Sequence, residues 1–175
     1  KQMDDYEPTM AGRAIDEFVD ELLSNWFVRL SRRRFWKGEY ETDKISAYQT
    51  LYICLDTVAK LAAPISPFFT DAVYRNLNAV TGKESVASIH HTDFPVAKDE
   101  WIDLVLEERM SMAREFCSLV LSIRKKVNIR VRQPLQKILI PIASDDMMLQ
   151  LKKIEDLILA EVNVKEMQYL PADND

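Results

Sequence analysis

The sequence predicts a mainly α protein, an antiparallel helical bundle followed by a small α+β segment, and three observations carry that prediction. Glycine is scarce, with three in 175 residues. Apolar residues recur at intervals of three and four over most of the chain, the spacing that collects them on one face of a helix. After Asn128 the spacing gives way to an apolar, β-branched run behind Pro134, which reads as a strand. A helical domain is therefore expected over residues 1–130 and the start of a strand-helix-strand domain over 131–175.

The first helix is expected over 10–36. Asp16, Glu17, Asp20 and Glu21 come early and the arginines late, as the helix dipole prefers. At 100° per residue Ile15, Phe18, Val19, Leu22 and Trp26 share one face, and Arg29, Arg32, Arg33 and Trp36 fall close to it. An apolar stripe thus turns basic at its end, which suits projection toward a polyanion. The run Lys37-Gly38-Glu39 ends the helix.

A second helix begins after Asp43 as N-cap, carries Ile45, Tyr48, Tyr52, Leu55, Ala59 and Ala62 on one face, and stops at Pro64. Ser66 and Pro67 start a third as cap and first-turn residue. Residues 82–97, with Gly82, the His90-His91 pair and Pro95, read as a crossing loop that the histidines help to fix. A fourth helix over 99–127 carries Ile102, Val105, Met112, Phe116, Leu119, Val120, Ile123 and Val127 on one face. Its length, roughly eight turns, suits an antiparallel partner of the first helix. Strands are expected over 135–142 and 162–169 with a helix over 145–161 between them, and a right-handed crossover makes the strands parallel.

Composition removes several classes of function. A net charge of −5 argues against indiscriminate coating of nucleic acid. Charge is nevertheless clustered, at 29–37 and again at Arg124, Lys125, Lys126, Arg130 and Arg132. Cys54 and Cys117 lie far apart without His at ligand spacing, which fits reduced thiols in a cytoplasmic protein. His90 and His91 are neighbours whose side chains diverge and have no third ligand, so no metal is expected. No stretch approaches the roughly 20 apolar residues of a membrane helix. The start at Lys1, without a signal-peptide core, reads as a piece of a longer polypeptide.

Residues 24–36 (SNWFVRLSRRRFW) interleave four arginines with four aromatics. Arginine offers planar forks for phosphate and base edges, while Trp and Phe offer faces on which unpaired bases stack. That pairing of needs belongs to recognition of a single-stranded RNA loop, although arginines also simply suit a helix C-terminus. The candidate nucleic-acid contacts here are Arg29, Arg32, Arg33, Arg34, Phe35 and Trp36. The later cluster adds Lys125, Lys126, Arg130, Arg132 and Gln133, placed either to touch a second part of one RNA or to solvate the end of the fourth helix.

Asn25-Trp26-Phe27-Val28-Arg29 with Ser31-Arg32-Arg33-Arg34-Phe35-Trp36 resembles the first long helix of the anticodon-binding domain of isoleucyl-tRNA synthetases. Further motifs follow in that family's order: Leu61-Ala62-Ala63-Pro64-Ile65-Ser66-Pro67-Phe68-Phe69-Thr70, Ser88-Ile89-His90-His91-Thr92-Asp93-Phe94-Pro95, and Val131-Arg132-Gln133-Pro134-Leu135. The Ala-Pro-Ile-Ser-Pro run marks the wider class I group that also charges valine, leucine and methionine. Asn-Trp with the triple arginine, and Arg-Gln-Pro-Leu, favour isoleucine. Phe27 departs from the tyrosine common in the family, so no hydrogen-bonding role is carried onto it.

The resemblance implies a class I synthetase type of helical domain that binds the anticodon stem-loop of an isoleucine tRNA. It implies upstream catalytic and editing domains in the same chain, with ATP and Mg used by the catalytic domain. It implies no cofactor in this segment and no membrane. Neither His-Ile-Gly-His nor Lys-Met-Ser-Lys-Ser, the family's catalytic signatures, occurs here, so no catalytic residue is assigned. The rivals are the corresponding domain of a valine enzyme and a helical protein-interaction module with Trp26, Phe35 and Trp36 as anchors.

Overall fold

The computed structural model describes residues 5, 7–37, 39–142 and 144–171. The chain divides into two compact units, Lys1–Ala97 and Lys98–Asp175. Packing thus groups the fourth expected helix with the strands that follow it, whereas the change of local periodicity lies near residue 130.

In the first unit, α1 (Pro8–Glu17) opens with proline in its first turn, where the missing N–H costs nothing. It runs without interruption into a π-helical segment, Phe18–Val28, and after a turn at Ser31 the short α2 (Arg32–Trp36) follows. The helix expected over 10–36 is therefore continuous in outline but not uniform in pitch. Bonds from i to i+5 make a wider turn than 3.6 residues, and the inward line advances by fours. It passes through Ile15, Val19, Leu23, Phe27, Ser31 and Phe35, all buried or half-buried. Leu23 is 5% exposed, whereas Leu22 is 40% and Phe18 37% exposed. The expected face through Phe18 and Leu22 is corrected accordingly, and the arginines stand off the apolar line rather than continuing it. Gly38 lies outside the described residues.

Helix α3 (Thr42–Ala62) is capped at Glu41, not Asp43. The Asp43 carboxylate, one residue inside the helix, is taken instead by Arg34. Along α3, Ala47 and Ala59 are buried while Ile45 and Tyr48 of the expected face are exposed. Helix α4 (Pro67–Thr81) begins as expected, with Ser66 at the cap and Pro67 in the first turn. It ends at Gly82, whose φ of 58° is the left-handed conformation that a side chain would strain.

The crossing loop after α4 is tied to the helices by polar groups. Asp71 accepts from the Ile89 N–H at 2.9 Å and the Ser88 hydroxyl at 2.8 Å. Those hydrogen bonds, with Arg75 at 2.8 Å, hold its carboxyl below the usual carboxylate range against the opposing effect of burial. The Tyr74 hydroxyl donates to the Val86 carbonyl at 2.8 Å, and burial pushes its phenol upward. Asn78 bonds both the carbonyl and the N–H of Glu84 at 2.9 Å. Burial opposes the charge on Lys60, but its bonds to Glu84 (2.7 Å) and Asp56 (3.0 Å) outweigh this and raise its affinity for the proton. Ala59, Ala63, Tyr74 and Ile89, with Val73 and Val86, form the core beneath. His90 and His91 sit exposed in a 3-10 turn. Asp71, Tyr74 and Asn78 fix the loop, so the role expected of the two imidazoles passes to them.

The second unit opens with a 3-10 turn, Asp99–Trp101, where the fourth helix was expected to start. Helix α5 (Leu104–Lys126) begins later because the Asp103 carboxylate caps it, accepting from the Leu106 N–H at 3.0 Å. Strand β1 (Leu135–Ile142), α6 (Asp145–Val162) and β2 (Val164–Pro171) follow within two residues of their expected bounds. The strands pair in parallel, from Leu135 opposite Val164 to Ile142 opposite Pro171. Leu151, Ile154, Ile158 and Val162, spaced by threes and fours, form the buried stripe of α6, which packs on both the sheet and α5.

Toward α6, α5 presents a line of small residues, with Ala113 and Cys117 buried. Small side chains let two helix axes approach closely. The expected apolar face of α5 is inward only at Met112, Phe116 and Val120, which are half-buried. Ile102, Val105, Leu119, Ile123 and Val127 are exposed. Cys54 and Cys117 form no disulfide, and burial raises the Cys54 thiol above its ordinary value.

Candidate nucleic-acid interface

The first cluster lies at the end of the helical run that closes with α2. Arg29, Arg32, Arg33 and Trp36 are all exposed, and Trp36 leaves 84% of its surface to solvent. Their exposure follows from the widened π segment, because the inward line reaches Ser31 and Phe35 and leaves these four outside it.

Arg34 and Phe35 are engaged within the fold. Arg34 grips Asp43 with its fork, Nε to Oδ2 at 2.9 Å and Nη2 to Oδ1 at 2.7 Å, and also donates to the Asp43 carbonyl at 3.1 Å. Phe35 meets Phe27 edge to face at 6.3 Å between centroids and Tyr48 at 5.1 Å, while the Tyr48 hydroxyl donates to its carbonyl at 3.3 Å. Phe27 thus serves as a packing ring. These contacts lock α2 onto α3 and set the direction of Arg32, Arg33 and Trp36. Tyr40, which the sequence reading passed over, is 79% exposed with the Lys44 ammonium 4.7 Å over its ring. No periodic pattern marks it, since it lies in the connection between α2 and α3.

The second cluster is built on the end of α5. Asn128 takes a left-handed conformation, φ 56°. Its N–H bonds the Lys125 carbonyl at 3.2 Å and the Ile129 N–H bonds the Arg124 carbonyl at 2.9 Å, the paired bonds of a Schellman cap. The chain then leaves the helix as a loop on which Arg130, Arg132 and Gln133 are exposed, beside exposed Lys125 and Lys126. Two side chains hold the loop. Arg124 Nη2 donates to the carbonyls of Arg130 (3.3 Å), Val131 (3.1 Å) and Gln133, and Asn163 Nδ2 donates to the Val131 carbonyl at 2.9 Å. Arg124 itself is 2% exposed. Sequence reading grouped it with its charged neighbours, yet its position seven residues after Cys117 on the inward line of α5 distinguishes it.

Among the described residues no group of His, Cys, Asp and Glu is placed to hold a metal ion, and no helix is long and apolar enough to cross a membrane. The clusters offer cations, an exposed indole and anchored backbone, which is equipment for binding phosphate and stacking bases.

Comparison with known proteins is consistent across this chain. The family model described as anticodon-binding domain of tRNA ligase matches residues 1–139. An isoleucine–tRNA ligase of Cytophaga hutchinsonii is 57% identical over 166 residues, covering 95% of this chain and 15% of the relative. That of Bacteroides thetaiotaomicron is 54% identical over 166 residues, covering 95% and 14%. That of Dehalococcoides mccartyi is 44% identical over 165 residues, covering 94% and 16%. The chain therefore spans only a small part of the length of the curated relatives it matches.

Proposed function

Because the chain belongs to the anticodon-binding domain family of tRNA ligases, we propose that it holds the anticodon stem-loop of an isoleucine tRNA while a catalytic domain elsewhere in the same polypeptide acts at the acceptor end. The observation that carries this reading is the exposed set of Arg32, Arg33 and Trp36 on a short helix that Arg34 and Phe35 clamp in place, with exposed Arg29 just before it. Guanidinium groups on phosphates fix register, and the indole supplies a stacking face for an unpaired base. Lys125, Lys126, Arg130, Arg132 and Gln133 add contacts from the second unit. The parent protein is read as a cytoplasmic isoleucine–tRNA ligase that uses ATP and Mg in its catalytic domain, with an editing domain also upstream. Its relatives' names support isoleucine over the valine alternative.

Titration of anticodon stem-loops over a salt series tests the reading. Replacing Arg32 and Arg33 by Gln should weaken binding and lower the slope of log affinity against log salt by about one unit or slightly less per lost phosphate contact. Melting should be unchanged, because neither side chain is buried. Unchanged binding and slope in this variant would contradict the proposal.

A further inference from the structure

Arg124 is a buried cation with no ion-pair partner among the described residues. It occupies the inward line of α5, where Ala113 and Cys117 precede it, and only Nη2 is engaged, by three backbone carbonyls. Nε and Nη1 are buried without any acceptor, and no carboxylate forms an ion pair with the residue among the described residues. Carbonyls contribute partial charge and leave the guanidinium's full positive charge uncompensated, in surroundings that screen it far less than water does. Buried polar atoms left unpaired in this way require a cause.

A hollow of about 440 Å³ adjoins it, lined by Arg124, Lys125, Asn128 and Arg130 with the aliphatic Leu121 and Ile129. Three cations and no acid face it. A helix C-terminus ordinarily repels anions. Here the Schellman bonds occupy the carbonyls of Arg124 and Lys125, and those of Arg130, Val131 and Gln133 are turned onto Arg124. The repelling dipoles are thus largely satisfied while the cations remain.

We propose that this hollow is a phosphate-binding site for one backbone phosphodiester of the bound RNA, with Arg124 as the buried charge at its floor and Lys125 and Arg130 as the contacts at its rim. The space exceeds what a phosphate alone fills, and the aliphatic side chains suit an attached sugar, so the site favours a phosphodiester within a chain over a free anion. The proposal rests on the reading of the chain as a tRNA-binding domain.

The test uses the full 175-residue chain and an isoleucine anticodon stem-loop, in a salt series and in a scan that replaces single backbone phosphates by neutral methylphosphonates. Arg130→Gln keeps the backbone carbonyl that Arg124 holds, so the loop anchor survives. The expected result is a salt slope lowered by about one unit or slightly less in Lys125→Gln and in Arg130→Gln. One methylphosphonate position should weaken wild type and have no further effect on Arg130→Gln. Arg124→Gln should lower the slope likewise, and should it unfold, the two exposed variants still decide. If Arg32→Gln with Arg33→Gln weakens binding while both rim variants keep the wild-type slope and phosphate scan, the hollow is refuted and the tRNA reading stands. If wild type shows no salt-dependent binding, both are overturned.

Discussion

Trp36 and Trp26 belong to one helical run and answer to different physics. Trp36 is almost free of the protein, so Trp36→Ala should leave melting unchanged and weaken stem-loop affinity by roughly 1–3 kcal/mol if a base stacks there. Trp26 is half-buried with its indole Nε1 enclosed and without an acceptor. Truncation to Ala should cost between about 1 and 3 kcal/mol, below the full-burial range. Trp26→Phe, which removes the unmatched donor and keeps a ring, should cost less than about 1 kcal/mol. Paired melting and binding curves on the three variants check this. A third residue carries a pH dependence. Asp71 has its proton affinity lowered by the bonds from Ile89 and Ser88, so it stabilises the fold above the ordinary carboxylate value of 3.8 and loses that contribution as pH falls through its own lower value. Asp71→Asn should therefore lower the melting temperature at neutral pH, and the gap to wild type should close in acid. A gap that persists unchanged at low pH would show that the carboxylate charge is irrelevant to the loop.

Elements meet at their ends here, and the ends decide what the clusters can do. Asn163, at φ 54°, turns α6 directly into β2, and its side chain reaches across to the Val131 carbonyl that Arg124 also holds. Glycine keeps the left-handed backbone but loses that bond, whereas alanine loses the bond and adds about 1–2 kcal/mol of strain. Asn163→Ala should therefore be less stable than Asn163→Gly, and both should loosen the loop that bears Arg130 and Arg132, which amide exchange at 129–133 would report. Asn128→Gly, by contrast, should be neutral or stabilising, because its Schellman cap uses backbone groups alone. At the other cluster, Arg34 and Asp43 join α2 to α3, yet 36% and 70% of their side chains are exposed. Their ion pair therefore contributes direction more than stability, as exposed pairs are worth about 0.2–1 kcal/mol.

At the scale of the whole chain, the proposed function separates binding from chemistry. No nucleotide-cradling glycine loop and neither catalytic signature occurs in the sequence. The purified chain should bind stem-loop RNA and give no isoleucine-dependent exchange of pyrophosphate into ATP; exchange above background would overturn that division. Helix positions, the strand-helix-strand order and the parallel pairing were legible from the residues, because apolar periodicity, Ser66-Pro67 and Gly82 act within a few residues of themselves. The composition of the basic-aromatic cluster was legible for the same reason, and its motifs pointed to the family that residues 1–139 match. The π segment was not legible, since 100° per residue places the inward line on Leu22 and the widened backbone moves it to Leu23. Nor could local sequence separate Arg34, held by Asp43, from Arg33, and the seven-residue step from Cys117 to Arg124 sets Arg124 apart from Lys125 only once the inward line of α5 is known. Identical side-chain chemistry becomes anchor or contact according to what packs against it, so the sequence by itself determined which charges and rings this protein carries. Tertiary structure alone decided which of them are buried in the fold and which face the solvent.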